Sequence, residues 1–118
     1  MRRYCFRREA ALKPEAVILL KQVARGLAQL PTAYTIVVQG YTDNQPIATA
    51  QFPSNWSLSA ERSVTVVQLF ADSGVSGDQL AAEGFGAFSP TADNSTDDGR
   101  ARNRRVVVVV HAPPPVAK

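Results

Sequence analysis

Five consecutive valines, Val106–Val110, limit what this 118-residue chain can fold into more than any other stretch of it. Side chains branched at Cβ are stiff and pack well on a pleated surface, so the run reads as a strand. Successive residues of a strand point to opposite faces, so an unbroken apolar run implies burial on both. Left open, such a segment would pair with other chains. Arg104 and Arg105 before it and Pro113–Pro115 after it have the character of gatekeepers against that outcome. The run therefore requires strands beside it and helices against it.

The rest of the chain supplies them. The segment "RRYCF" alternates and carries an aromatic pair, which suits a short first strand. Pro14 fits a first helical position, Glu15 a first turn and Pro31 a stop, so the intervening residues are expected to be helical. Ala16, Leu20, Val23, Leu27 and Leu30 recur at helical spacing and are expected to face a sheet. The segment "AYTIVVQG" reads as a buried strand, and residues 41–57, with Pro46 and Pro53, as a connection. A second helix is expected from about Leu58 to Asp72, with Ala60, Val64, Val67 and Ala71 on one face and Gly74 past its end. The segment "QLAAEGFG" suggests a short third strand, and "SPTADNSTDDGRARN" a loop with at most one helical turn. The order β-α-β-α-β-β predicts an α+β fold, a two-layer sandwich of helices packed on one mixed sheet. One domain over residues 1–111 and a proline-rich tail over 112–118 are expected.

Several chemistries lack their residues. A single cysteine, Cys5, forms no intrachain disulfide, and one His with one Cys cannot build a zinc site. His111 lies at the end of the valine strand with no Ser–His–acid arrangement around it, and no glycine-rich phosphate loop is present, so neither an enzyme nor a cofactor is expected. No apolar run approaches the ~20 residues that span a bilayer. The start "MRRYCFRREA" is basic without a hydrophobic region, so no signal peptide is read there, and the segment is expected to be soluble as it stands. Net charge is only +3, but Arg2, Arg3, Arg7, Arg8 and Arg100, Arg102, Arg104, Arg105 form two clusters that could meet an anionic partner. Nucleic acid is disfavoured, because aromatics are not interleaved with the arginines and Asp93, Asp97 and Asp98 precede the second cluster.

Three motifs remain: Gly40-Tyr41-Thr42-Asp43, then Leu58-Ser59-x-x-Arg62, then Gly99-Arg100-Ala101-x-Asn103-Arg104-Arg105 leading into the valines. In this order and spacing, from about Phe6 to Val110, the chain resembles the OmpA-like peptidoglycan-binding domain. The long "DNQPIATAQFPSNW" connection is most similar to the flagellar-stator branch of the MotB and MotD type. Similar connections occur in type VI secretion cell-wall anchors of the TssL type, while the outer-membrane OmpA and Pal branches have a shorter one. Tyr41 departs from the family's common His, and Ser63 from its Ala.

The resemblance implies a non-enzymatic domain that binds the diaminopimelate of a peptidoglycan stem peptide, with Asp43 and Arg62 as its main ligands. It further carries Thr42, Asn44, Leu58, Ser59, Asn103 and Arg104 to the site, with main-chain groups at the start of the second helix available to a carboxylate. It implies a periplasmic location in a Gram-negative inner-membrane protein, a zwitterionic ligand, a MotA-like membrane partner through an upstream segment, and a homodimer. Chemistry agrees with such a pair. Diaminopimelate carries an ammonium and a carboxylate, and a carboxylate beside a planar guanidinium fork answers both. Taken as residues alone, Asp43 and Arg62 fit a surface ion pair, Asp43 also fits a turn, and Trp56 fits an anchor for the connection better than a sugar platform. The three motifs together favour binding.

Overall fold

The structure, a computed structural model, describes residues 2–5 (main chain only), 12–45 and 54–114. Arg7, Arg8, most of the long connection and residues 115–118 lie outside the described residues. The elements are β1 (Arg2–Cys5), α1 (Pro14–Leu27), β2 (Thr35–Gly40), α2 (Asn55–Asp72), β3 (Leu80–Gly84), α3 (Asp97–Asn103) and β4 (Arg105–His111). They form the expected α+β arrangement around one mixed sheet of order β1-β4-β2-β3. β4 is antiparallel to both β1 and β2, while β2 and β3 run parallel with α2 as their crossover.

The valine strand takes an interior place, as its composition demands. Val106 and Val108 point to the helices and join Leu20, Ala24, Leu27, Ile36, Val38, Val66 and Phe70 in the core. Val107 is buried on the opposite face, but burial fades along the strand and Val110 is 43% exposed. The helices therefore cover the face of Val106 and Val108, and cover on both faces is lost toward the end of the strand, at Val110 and His111. In α1 the buried residues are Ala16, Leu20, Ala24 and Leu27, with Val23 and Leu30 packed at the margin.

α2 departs from expectation in two ways. It begins at Asn55, one turn before the Leu-Ser motif, because Ser54 and Ser57 exchange hydrogen bonds as a reciprocal cap: Ser57 N donates to Ser54 Oγ and Ser54 N to Ser57 Oγ. Its inward face is also a different stripe. Leu58, Ser59, Arg62, Ser63, Val66 and Phe70 are buried, whereas Ala60, Val64 and Ala71 are exposed. The cause lies in the strands opposite. Gly40 and Gly84 are register partners on β2 and β3. A Cβ on Gly40 would stand 2.1 Å from Ser59 O, and one on Gly84 2.7 Å from Ala60 N. Helix and strand backbones thus approach so closely that only small residues fit at the contact, and Ser63 Oγ donates to Glu83 O at 2.7 Å across it. A hydrophobic-spacing rule cannot select a stripe in which two serines and an arginine follow Leu58. The far end of α2 follows expectation: Gly74 takes φ +103°, its N–H bonds Ala71 O, and Val75 N bonds Phe70 O, closing the helix with an apolar Val75–Phe70 contact.

Beyond β3, residues 97–103 form a two-turn helix instead of a single turn. Thr96 caps it by accepting from Gly99 N at 3.0 Å.

The close contact makes two glycines respond oppositely. Gly40→Ala should lower unfolding free energy by about 3 kcal/mol or more, since rigid backbone opposes the new methyl. Gly26→Ala, in α1 with nothing within 4 Å of an added Cβ, should raise it by about 0.5–1 kcal/mol. Urea denaturation of the two variants against wild type measures both signs.

Candidate functional site

The end of β2 turns a buried strand into a charged loop under tight main-chain control. Tyr41 N donates to Arg105 O and Thr42 N to Gly86 O, each at 2.9 Å. Thr42 is buried, and its hydroxyl donates to Asp43 O at 2.8 Å. Asp43 is also buried. Its Oδ1 accepts from Gln45 N at 3.1 Å, so it is indeed a turn residue, but Oδ2 has a second task. It accepts from Arg104 Nη1 at 2.8 Å.

Arg62, the eighth residue of α2, is fully buried with Nη1 donating to Tyr41 O at 3.0 Å. A surface ion pair is therefore not what Arg62 forms. Burial is the largest influence on its guanidinium and lowers its pKa to about 10; the charge of Asp43 pulls it up, and that of Arg104 pushes it down further. It remains a cation at neutral pH. Asp43, Arg62 and Arg104 thus place two positive charges around one negative charge on three separate elements, leaving an excess of one. Arg104 Nε is buried and meets no acceptor among the described residues. A carboxylate also has about four lone-pair positions, of which these contacts on Asp43 use two. The arrangement can take one more anionic group at the arginines and one more donor at Asp43.

The remaining sequence candidates divide. Asn44 is exposed beside Asp43. Leu58 and Ser59 are buried within α2, and Leu58 N already bonds Ser54 O, so these residues do not offer the free helix-start amides that a start at Leu58 would give. Ser59 Oγ instead accepts from Gly86 N at 2.9 Å, fixing the residue that holds Thr42. Asn103 is fully buried, and all four of its side-chain hydrogen-bonding positions are used: Oδ1 accepts from Thr91 N and Ala92 N, and Nδ2 donates to Ala92 O and Asn94 Oδ1. It builds the loop before α3.

The second arginine cluster disperses in space. Arg100 pairs with Asp97 and donates to Asn94 O. Arg104 turns to Asp43, and Arg105 goes to the other sheet face, donating to Ser89 O at 3.0 Å and lying 3.9 Å over the Tyr41 ring, which stacks on Phe85. Arg102 alone of the four is exposed. A basic strip for a phosphate backbone is not formed here. Sequence reasoning gave Tyr41 and Arg105 no joint role; the departure from His at position 41 was the available signal. Among the described residues, no cluster of three His, Cys, Asp or Glu is placed to hold a metal, and no helix is long and apolar enough to cross a membrane.

Comparison with known proteins adds a family. The model of the OmpA family matches residues 6–104. Motility protein B of Bacillus subtilis is 36% identical over 103 residues, covering 86% of this chain and 39% of that protein. Peptidoglycan-binding protein ArfA of Mycobacterium bovis is 40% identical over 102 residues, covering 86% of this chain and 30% of that protein. The chain therefore spans well under half the length of these relatives. The crystallised C-terminal domain of Helicobacter pylori MotB superposes with a TM-score of 0.89 at 25% identity, covering 97% of this chain and 88% of that one.

Because Asn103 is saturated internally, Asn103→Ala should act on stability, leaving the amides of Thr91 and Ala92 without their acceptor. A loss of about 2 kcal/mol is expected in chemical denaturation.

Proposed function

This chain belongs to the OmpA family, and from that premise we propose that it binds peptidoglycan through Asp43, Arg62 and Arg104 and ties a membrane complex to the cell wall. The observation that carries the reading is the buried trio itself, with its one surplus positive charge and its arginine Nε lacking an acceptor. Two guanidiniums near one carboxylate, all largely out of water, are a poor way to stabilise a fold, since desolvation offsets the attraction. They are a good way to receive a zwitterion. The ammonium of diaminopimelate adds a donor to Asp43 Oδ atoms, and its carboxylate takes the arginine donors. Thr42, Ser59 and Asn103 hold the frame, and Asn44 and Leu58 border it. The ligands stand on a strand end and two helix-fixed segments, which suits preorganised recognition.

The complex is most simply a flagellar motor stator in which this domain works in the periplasm as part of an inner-membrane protein, with a MotA-like partner and a second copy of itself. Likeness to Motility protein B and to the MotB C-terminal domain supports this. Two copies facing a polymer gain effective concentration, so weak individual sites suffice to transmit force. The similar identity to a peptidoglycan-binding protein of another name favours a second reading, a cell-wall anchor of a complex unrelated to motility. The binding chemistry is the same in both.

Co-sedimentation with purified sacculi tests the site. Asp43→Asn should weaken pelleting by more than about tenfold, because it removes the anion between two guanidiniums. Arg62→Met should do the same; because it also takes the donor from Tyr41 O, it should lower unfolding free energy by about 1–3 kcal/mol, and pelleting is compared where circular dichroism shows the variant folded. Wild-type pelleting by both variants would refute the assignment. Murein binding should also change little as salt rises, whereas binding driven by counterion release, as to DNA, would fall steeply.

A further inference from the structure

Two large aromatic side chains lie open on the surface, on segments hydrogen-bonded to the loop that carries Asp43. Trp56 is 53% exposed and Phe88 73% exposed. Their rings stack at a centroid distance of 5.1 Å with 25° between the planes. Neither belongs to the core, so Trp56 is not the buried anchor its sequence context suggests. Trp56 is the second residue of α2 and Phe88 follows the turn at Gly86, so two segments distant in sequence bring the rings together.

Gly86 is the hinge of this arrangement. Its φ is +64°, and a side chain there would sit 3.4 Å from the Trp56 ring. Its carbonyl accepts from Thr42 N, next to Asp43, and its N–H donates to Ser59 Oγ. On the other side of α2's first turn, Asn55 Nδ2 donates to Gln45 O, and Gln45 N donates to Asp43 Oδ1. The aromatic pair and the carboxylate therefore hang on one short hydrogen-bonded frame.

The surroundings select an occupant. Residues 54–60 and 84–92 contain no charged side chain but supply several Ser, Asn and Thr residues. A flat, uncharged aromatic face among hydroxyl and amide groups suits the C–H face of a neutral pyranose, which stacks on the electron-rich face of a ring. Within these two segments a phosphate or acidic lipid meets no cation. In peptidoglycan the sugar that carries a stem peptide is joined to it by a short linker, so a peptide held at Asp43 brings its sugar near. We propose that Trp56 and Phe88 form a stacking platform for an N-acetylated sugar of the glycan strand, so that the domain reads the sugar–peptide junction. This rests on the peptidoglycan reading of Asp43, Arg62 and Arg104.

Trp56 is the sole tryptophan, so its emission reports on this surface alone. The whole chain is titrated with free stem tetrapeptide and with the disaccharide-tetrapeptide released from sacculi by a muramidase. The disaccharide form should bind roughly three- to tenfold tighter than the peptide and shift the Trp56 emission. In Trp56→Ala and Phe88→Ala that ratio should fall to about one, and Trp56→Phe, which keeps a ring, should restore part of it. Equal affinities in wild type with unmoved emission would overturn the sugar platform and leave the peptide site standing. Failure of both ligands to bind the folded chain would overturn the site and the platform together. A Trp56→Ala chain that turns from dimer to monomer in sedimentation, with the affinity ratio unchanged, would make the pair an interface between copies and overturn the sugar assignment.

Discussion

The charged site depends on how closely α2 lies against the backbones of β2 and β3. Gly40 and Gly84 stand side by side in the sheet, and the first turns of the helix rest on them without intervening side chains. With Cβ atoms at those places the helix would be pushed outward. Ser59 and Ser63 could not then reach Gly86 and Glu83, and Arg62 would be lifted from the carbonyl of Tyr41. Two missing methyl groups thereby decide where a guanidinium is buried. A helix packed at ordinary apolar depth would have kept Arg62 at its edge, with its charge in water.

The segment from Gly99 to Arg105 shows how one run of sequence serves both frame and site. Gly99 lies so near Asp93 O that no side chain fits, Arg100 and Asn103 organise the preceding loop, and the last two arginines part to opposite sides of the sheet. This division follows from alternation at the start of a strand, where neighbouring residues cannot share a face. Charges adjacent in the chain are thus separated in space, and only Arg104 enters the trio. The trio costs desolvation, and that cost supports the proposed reading of it as a ligand site.

Much of the architecture was legible in local chemistry. The valine run required an interior strand, Pro14 and Gly74 marked helix ends, and the element order required helices on one mixed sheet. The inward stripe of α2 was not legible, because hydropathy periodicity favours Ala60 and Val64 over Ser59 and Arg62 and carries no information about glycines on strands opposite. The helix start was missed for a related reason: Ser57 fills a capping position where Glu or Gln is the usual signal. Of the candidate site residues, Asp43, Arg62 and Arg104 gather, whereas Asn103 and Ser59 spend their polar groups on the frame. Residue type and spacing cannot separate these roles, since an amide or hydroxyl looks the same in sequence whether its partner is a ligand or a loop.

By itself the sequence determined the elements other than α3, their order, the interior place of the valine strand and the motifs that name the family, because these follow from local propensity and periodic burial. Tertiary structure alone decided that Arg62 is buried, that Asp43 pairs with Arg104 across 61 positions, and that Trp56 meets Phe88 on the surface. Each of those outcomes depends on distances between segments remote in the chain, and here such distances are fixed by the close seating of one helix on two glycines.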